Sequence, residues 1–507
     1  MQFNLNPVML AIIGILVGFF IFLLFLFYTR RHLTKRYLYY SKLEPVLANL
    51  GFLLQISGFF YLPSIIYAYF LNELNAAVGL SISALIFLFS GFILTFLFET
   101  KTLNMKQSCM LLVLYFLIVP LMHCVPYLYL GIFDGSILDQ ILDSWFETSS
   151  AVSTTGLTLL EGTVVPKSVI LARGISEWIG GIGIIFILLA FLYPSDALSH
   201  YGRVLGIEKI AGDYKVSFLV VLLIYLFYTL IFSAILILLG LDAFTAFHTV
   251  LTVFSTTGLT VVNILDLPLP AIIVVTVMMI LSAFSFSFHL KLFSFILRKN
   301  SRIGLSREIK LYLVSLSIFT LVFWFATRMN PLRAFFHIAD FSASVGLNLV
   351  PFGELGDLGK IILVIVMLIG PCSFSIGGGI RIFRVYIVGK VLLSLPQIFL
   401  RGEIPEIEIE GKHLGKSDVL IHLLTAFLFI LISFFAALIL CGYGYSFVDA
   451  LVESVSAITT TGDSPKVLTP NLPFVPKILI IALMLVGRIE ILPAFVAFSN
   501  VKVPEQT

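Results

Sequence analysis

Ser153-Thr154-Thr155-Gly156-Leu157-Thr158 recurs further along the chain as Ser255-Thr256-Thr257-Gly258-Leu259-Thr260. Two looser relatives follow, Ser342-Ala343-Ser344-Val345-Gly346-Leu347-Asn348 and Ile458-Thr459-Thr460-Thr461-Gly462-Asp463-Ser464. Aligned on the glycine, each has a small residue twelve positions upstream (Ser144, Ala246, Ala334, Ala450), then a bulky apolar one (Trp145, Phe247, Phe335, Leu451). Self-similarity of this kind decides the fold before any local pattern does. The repeated unit reads as a half-helix, a hydroxyl-rich turn and a glycine, and four units predict a four-fold arrangement about one axis.

The flanks of these turns set the solvent. Of 507 residues, 59% are hydrophobic and only 12% charged, with a mean hydropathy of +1.08. A water-soluble domain cannot hide that much apolar surface, so the chain reads as a polytopic membrane protein. A net charge of +3 gives no case for nucleic acid. Cys109, Cys124, Cys372 and Cys441 lack the spacing of a zinc site or a disulfide scaffold and read as packing residues. Val8–Tyr28 is about a full span long. It lacks a basic segment before it and a cleavage site after it, and so reads as a retained anchor.

Apolar runs near 8–28, 46–71, 76–98, 108–131, 168–193, 214–240, 270–297, 309–329, 360–388, 419–441 and 476–500 make eleven candidate spans. Basic residues orient them. Arg30, Arg31, Lys35 and Arg36, then Lys101 and Lys106, then Arg203, Lys209 and Lys215 fall in cytoplasmic loops. Arg298, Lys299, Arg302, Arg307 and Lys310, and finally Arg401, Lys412 and Lys416, continue the series. The expected topology has the N-terminus outside, the C-terminus in the cytoplasm and all four turns facing outward. Copies related this way are parallel, unlike the inverted copies of rocking transporters.

The expected fold is therefore an all-α polytopic membrane protein: four parallel helix–pore loop–helix repeats around one central pore, preceded by extra N-terminal transmembrane helices. The divisions are 1–100 for the N-terminal helices, 101–200 for the first pore repeat, 201–305 for the second, 306–418 for the third and 419–507 for the fourth. Irregular backbone at membrane depth survives only where protein buries it or it lines water. The largest cytoplasmic loops, 194–213 and 389–418, are short. Within the second, the alternating Glu403–Glu410 reads as a solvated loop rather than an edge strand.

A dehydrated monovalent cation needs several oxygen ligands, which rings of backbone carbonyls supply. Glycine reaches the backbone angles this takes without strain. A half-helix that ends at the turn presents its negative dipole end to the cation. The candidate K+ filter comprises Thr154, Thr155, Gly156, Thr256, Thr257, Gly258, Ser344, Val345, Gly346, Thr460, Thr461 and Gly462. A lone Thr-Thr-Gly turn merely closes a helix; four in register ask for more.

These turns resemble those of the Trk/Ktr/HKT superfamily of K+ transporters, most closely its Trk-type membrane subunit. Glu177-Trp178-Ile179-Gly180-Gly181-Ile182-Gly183-Ile184-Ile185, Phe286-Ser287-Phe288-His289, Gly377-Gly378-Gly379-Ile380-Arg381-Ile382-Phe383-Arg384 and Gly487-Arg488-Ile489-Glu490 carry the likeness over roughly 45–500. Ser344-Val345 in the third turn and Asp463 after the fourth glycine depart from the family pattern, and the first span has no counterpart. Gly370-Pro371-Cys372-Ser373-Phe374-Ser375-Ile376-Gly377-Gly378-Gly379 is too rich in Gly and Pro to stay helical. The resemblance implies that this break, with Gly370, Pro371, Gly377, Gly378 and Gly379, is an intramembrane gating loop. It further implies that Arg488 stands beneath the filter as an electrostatic barrier touching that loop. An Arg at the bilayer centre costs about 2.5–3.5 kcal/mol on insertion scales, so it must face protein or water. The family also implies a homodimer in the plasma membrane and a cytosolic nucleotide-binding regulatory ring (TrkA-like). This chain has no phosphate loop or dinucleotide fingerprint of its own.

Other residues read more plainly. Arg173 and Glu177, one turn apart, form an expected interfacial pair. His289 reads as packed and hydrogen-bonded, and nothing in the sequence pairs His248 and His337 as metal ligands. Glu147 and Glu453, each nine residues before its glycine, either attract cations to the mouth or hydrogen-bond behind the filter. The expected function is K+ uptake through a gated filter, down a gradient to which membrane potential adds about 2.3 kcal/mol per charge per 100 mV. The alternative is a Na+- or H+-coupled K+ symporter, for which no carboxylate pair stands out. No acid/base or metal constellation supports an intramembrane enzyme, K+ is the only ion implied, and no organic cofactor is expected.

Overall fold

Helix length separates two kinds of element. In this computed structural model the described residues are 43–101, 103–160, 163–187, 214–298, 304–350, 352, 355–402, 407–409, 412–465, 467–469 and 471–499. The candidate span 8–28, the loop 194–213 and the end of the 168–193 run lie outside them. Among the described residues, six helical stretches are long and apolar enough to cross a bilayer: Glu44–Phe70, Leu74–Leu97, Met105–Leu130, Val220–Leu238, Arg307–Thr327 and Lys416–Gly442. The chain is thus a helical, multi-pass membrane protein. It folds as two compact units.

The first unit comprises Met1–Thr148, Gly162–Arg173 and Val501–Thr507. Its described helices begin with α1 (Glu44–Phe59), α2 (Leu62–Phe70) and α3 (Leu74–Leu97). There follow α4 (Met105–His123), α5 (Val125–Leu130), most of α6 (Ile137–Val152) and the start of α7 (Lys167–Ile187). Glycines bring α1 and α3 together backbone to backbone. A Cβ on Gly51 would lie 2.7 Å from the Gly91 oxygen, and one on Gly91 2.6 Å from the Gly51 oxygen. Small residues at such crossings let membrane helices gain van der Waals contact, and Gln55 donates to Thr95 Oγ1 at 2.8 Å across the same seam. Glu73 caps α7, accepting from the amides of Lys167 and Ser168 at 3.0 Å and from the Ser168 hydroxyl at 2.5 Å. That satisfies donors which a helix start leaves open. Arg173, expected beside Glu177, donates at 2.9 Å to the fully buried Glu147 on α6.

The second unit comprises Ser149–Glu161 and Gly174–Asn500. It continues with α8 (Tyr214–Leu238), α9 (Ala243–Phe254), α10 (Leu269–Ser282), α11 (Phe286–Arg298), α12 (Arg307–Thr327) and α13 (Pro331–Ala343). Then come α14 (Asp357–Ile369), α15 (Ile382–Leu393), α16 (Leu395–Arg401), α17 (Lys416–Gly442), α18 (Phe447–Ile458), α19 (Phe474–Ile489) and α20 (Ile491–Phe498). Helices α9, α13 and α18, of 12, 13 and 12 residues, start on side-chain caps from Asp242, Asn330 and Ser446. At 1.5 Å per residue they reach only about 18–20 Å, well short of a bilayer. Each stops just before one of the repeated glycines.

Three expectations need correction. The run 270–297 is not one straight span: α10 and α11 meet at 109° around Ala283–Ser285. The last span bends by 96° at Glu490, whose φ of +67° leaves the helix. Arg488 therefore lies at the end of α19 rather than midway along a continuous span. Part of the 403–410 stretch, expected as loop, is a strand: β1 (Ile407–Ile409) pairs antiparallel with β2 (Lys412–Leu414). Alternating Ile lets Ile407 bury with Leu414, Ile387 and Val419, so the all-α expectation gains a small hairpin.

Candidate functional site: a closed ring of glycine turns

The four half-helices end alike. In each, the amide just before the glycine donates back to the carbonyl five residues upstream: Thr155 to Ser150 and Thr257 to Thr252 at 2.9 Å, Val345 to Asp340 at 3.2 Å and Thr461 to Ser456 at 2.9 Å. The preceding amide donates inside that loop, Thr154 to Ala151, Thr256 to Val253, Ser344 to Phe341 and Thr460 to Ala457. This is a Schellman termination, which places one residue in the left-handed region. That residue is usually Gly. Here it is Thr154, Thr256, Ser344 and Thr460, with φ of +53°, +61°, +59° and +51°. Left-handed backbone at a non-glycine residue costs on the order of 1–3 kcal/mol and marks functional sites. All four side chains are buried, and none of the four hydroxyl oxygens has a hydrogen-bond partner. A buried hydroxyl without a partner is costly, and the same orphan recurs at each of the four equivalent positions.

The glycines then close the ring. A Cβ on Gly156 would sit 1.9 Å from the Thr257 oxygen, one on Gly258 2.1 Å from the Val345 oxygen, one on Gly346 2.1 Å from the Thr461 oxygen and one on Gly462 2.0 Å from the Thr155 oxygen. Every turn thus abuts the next in cyclic order, first to second, third, fourth and back to first. The glycine φ values, +93°, +77°, +84° and +90°, also exclude a side chain. All twelve residues singled out from the sequence are brought together here.

Chemistry breaks the symmetry that the backbone keeps. In three turns a hydroxyl clasp spans the bend: Ser153 with Thr155 at 2.7 Å, Ser255 with Thr257 and Thr459 with Thr461 at 2.8 Å. Ala343 and Val345 cannot make one. Instead the Asp340 carboxylate accepts the Leu347 amide, at 3.0 and 2.9 Å to its two oxygens. Sequence reasoning missed Asp340, although it stands where Ser150, Thr252 and Ser456 stand in the other units. At the position after the glycine, Leu157, Leu259 and Leu347 give way to Asp463, which accepts from the Asn348 amide of the third turn. Glu453 lies behind the fourth turn and accepts from Ser464 at 2.5 Å.

Beneath the third and fourth turns lies the interrupted helix. The chain leaves α14 at Ile369 and re-enters helix at Ile382, and Gly370–Ile380 is buried throughout. Gly370, Phe374, Gly379 and Arg381 all have positive φ. A Cβ on Gly377 would meet the Ala343 oxygen at 2.7 Å, and one on Gly378 the Thr459 oxygen and Thr460 Oγ1 at 2.5 Å. Pro371 turns the loop back by accepting from Ile382 at 3.0 Å. Cys372 donates to Ala283 and Phe374 accepts from Phe286, both at 3.0 Å, and these bonds occupy the α10–α11 break. Arg488, 3% exposed, donates to Ile376 at 2.7 Å and to Gly180 and Gly181 at 2.6 and 3.1 Å. Glu490 pairs with Arg381 at 3.2 Å and Arg384 at 2.6 Å. The backbone break at Glu490 is what lets two residues so close in sequence serve different partners.

His289 accepts or donates at Tyr228 (3.0 Å) and meets the Leu281 carbonyl at 3.1 Å, a packed residue as expected. His337 is ringed by Phe323, Phe336 and Phe341. Among the described residues no group of three His, Cys, Asp or Glu side chains is arranged to hold a metal ion. The ring offers carbonyl and hydroxyl oxygens, which suit a monovalent cation passing through.

Known proteins share this architecture. Residues 321–506 match the TrkH family, described as a cation transport protein. An uncharacterized cation transporter of Methanocaldococcus jannaschii is 28% identical over 470 residues, covering 90% of this chain and 96% of its own. The Trk system potassium uptake protein TrkH of Escherichia coli K12 is 24% identical over 432 residues, 79% of this chain and 86% of its own. The crystal structure of the potassium transporter TrkH from Vibrio parahaemolyticus superposes with a TM-score of 0.78 at 19% identity, over 90% of this chain and 99% of that one. The two share a fold.

Proposed function

We propose that this chain, similar to the TrkH family over residues 321–506, is a Trk-type member of the Trk/Ktr/HKT superfamily that takes up K+ across the cell membrane through a gated, channel-like filter. The relatives it matches are transport proteins, not enzymes. The observation that carries the reading is the cyclic contact of Gly156, Gly258, Gly346 and Gly462 with the carbonyl of the following turn. On this reading four parallel repeats surround one pore. The carbonyls of Thr154, Thr155, Gly156 and their counterparts replace the water of K+, and the orphan hydroxyls of Thr154, Thr256, Ser344 and Thr460 offer oxygens at the inner end. Potassium is the cargo; the ring needs no resident cofactor to do this.

The loop Gly370–Gly379 is the gate. It lies against the underside of two turns and is pinned by Arg488, whose charge also opposes a cation leaving the filter. The turns face outward, the C-terminus is cytoplasmic, and a homodimer works with a cytosolic nucleotide-binding ring. Proteoliposomes with opposed K+ and Na+ gradients test the reading: the reversal potential should follow K+ alone. One observation favours the coupled alternative. Sequence reading found no carboxylate pair, yet Asp340 braces the third turn while Asp463, held by Asn348 of that turn, and Glu453 belong to the fourth. A reversal potential that moves with an imposed pH gradient would select a proton-coupled symporter instead.

A further inference from the structure

The buried charge at one corner of the ring has no counter-charge among the described residues. Asp463 is 2% exposed, and Asp340 and Glu453 are fully buried. One Asp463 oxygen accepts from Asn348, while Oδ2 has no donor; Glu453 Oε1 and the Asn348 amide oxygen have none either. No described basic side chain pairs with any of the three carboxylates. A carboxylate buried this way either gives up its charge or keeps it beside a compensating one. The ring itself offers a place for that compensation, because Asp463 directly follows Gly462, which packs against the Thr155 carbonyl. The other three turns put leucine at this point, all buried, so leucine fits and the carboxylate is not a packing requirement.

We propose that Asp463, held by Asn348 and backed by Asp340 and Glu453, is the residue that sets the affinity of the filter for its cation. Its carboxylate lies in a buried corner, where the attraction between its ionised form and a cation in the ring is less screened than in water. It therefore stabilises an alkali cation held in the ring more than one in bulk water. The backbone carbonyls, shared by all four turns, choose among cations; the single carboxylate decides how dilute the chosen cation can be. This inference rests on the potassium-filter reading and assigns one side chain a separable part of it.

The test is radioactive rubidium uptake by cells that lack their own potassium uptake systems and express the full chain, at surface levels checked for every variant. Asp463→Asn keeps an acceptor for Asn348 and removes the charge. Asp463→Leu installs what the other turns carry. Both should raise KM roughly tenfold, the size expected of one unit charge several ångströms away at an intermediate dielectric, with maximal rate within about twofold of the parent on the same reasoning. Asp463→Glu should keep KM near the parent value. Unchanged KM in both Asn and Leu variants overturns the inference, as does a rise for Leu alone, which would make shape rather than charge responsible. Gly258→Ala, measured beside them for rubidium against sodium, keeps the two ideas apart: unaltered selectivity there sinks the filter reading, and with it this one.

Discussion

The first two turns and the last two solve one backbone problem with different chemistry. Ser153-Thr154-Thr155-Gly156 and Ser255-Thr256-Thr257-Gly258 are identical in sequence and hold their bends by a clasp between two neutral hydroxyls. The third turn has lost both hydroxyls and is braced by Asp340, and the fourth keeps its clasp but adds Asp463. Backbone angles hardly differ between the pairs. What must stay constant is the direction of the carbonyls; what may vary is the means of holding them and the charge behind them. A transporter built from one chain can vary its quarters in this way, whereas a ring of identical subunits cannot.

The harshest way to break the comparison is at a glycine. Gly156→Ser or Gly258→Ala would drive a side-chain atom onto the carbonyl of the following turn, Thr257 or Val345, so both should collapse the preference for K+ over Na+, by roughly tenfold or more for a lost ligand set. Bi-ionic reversal potentials measure this, and equal ratios in parent and variant would deny the two turns a role in selection. Next comes Arg488→Ala, which removes three hydrogen bonds tying the first repeat to the loop beneath the third and fourth turns. Flux should rise severalfold while the selectivity ratio holds; equal or lower flux in folded protein speaks against a barrier. Asp340→Asn should cost less, about 1–2 kcal/mol at the third turn, because a charge-assisted bond to the Leu347 amide becomes a neutral one. Its signature is a few-fold loss of selectivity. The gentlest change sharpens the contrast: Ala343→Ser with Val345→Thr rebuilds the clasp and should recover most of what Asp340→Asn loses. Failure to recover would mean that Asp340 serves by its charge rather than as a brace.

Much of the ring was legible in the residues because it is written in repeats. The glycine register, the half-helices and the break at Gly370–Gly379 each leave a local mark that apolar periodicity and turn chemistry translate directly. The kink at Glu490 left none, since a glutamate with φ of +67° is held there by Arg381 and Arg384 from another repeat. Local propensity carries no trace of such tertiary partners. The α10–α11 break was hidden for the same reason: Phe374 and Cys372 of the loop satisfy the backbone groups that the break exposes. Asp340 did leave a signal, a lone acidic residue six positions upstream of its glycine where the other repeats carry Ser or Thr. The short hairpin at Ile407–Leu414 was misjudged because alternation of Ile and Glu suits a solvated loop and a half-buried strand equally.

One measurement reaches the central claim without passing through flux. Crystals of the protein grown in rubidium or thallium salts should show an anomalous peak on the axis of the ring, within ligand distance of the carbonyls of Thr155, Thr257, Val345 and Thr461. Four turns that select a cation together predict one such peak touched by all four. A map with no peak there, or with ions bound to a single turn away from the axis, would contradict it.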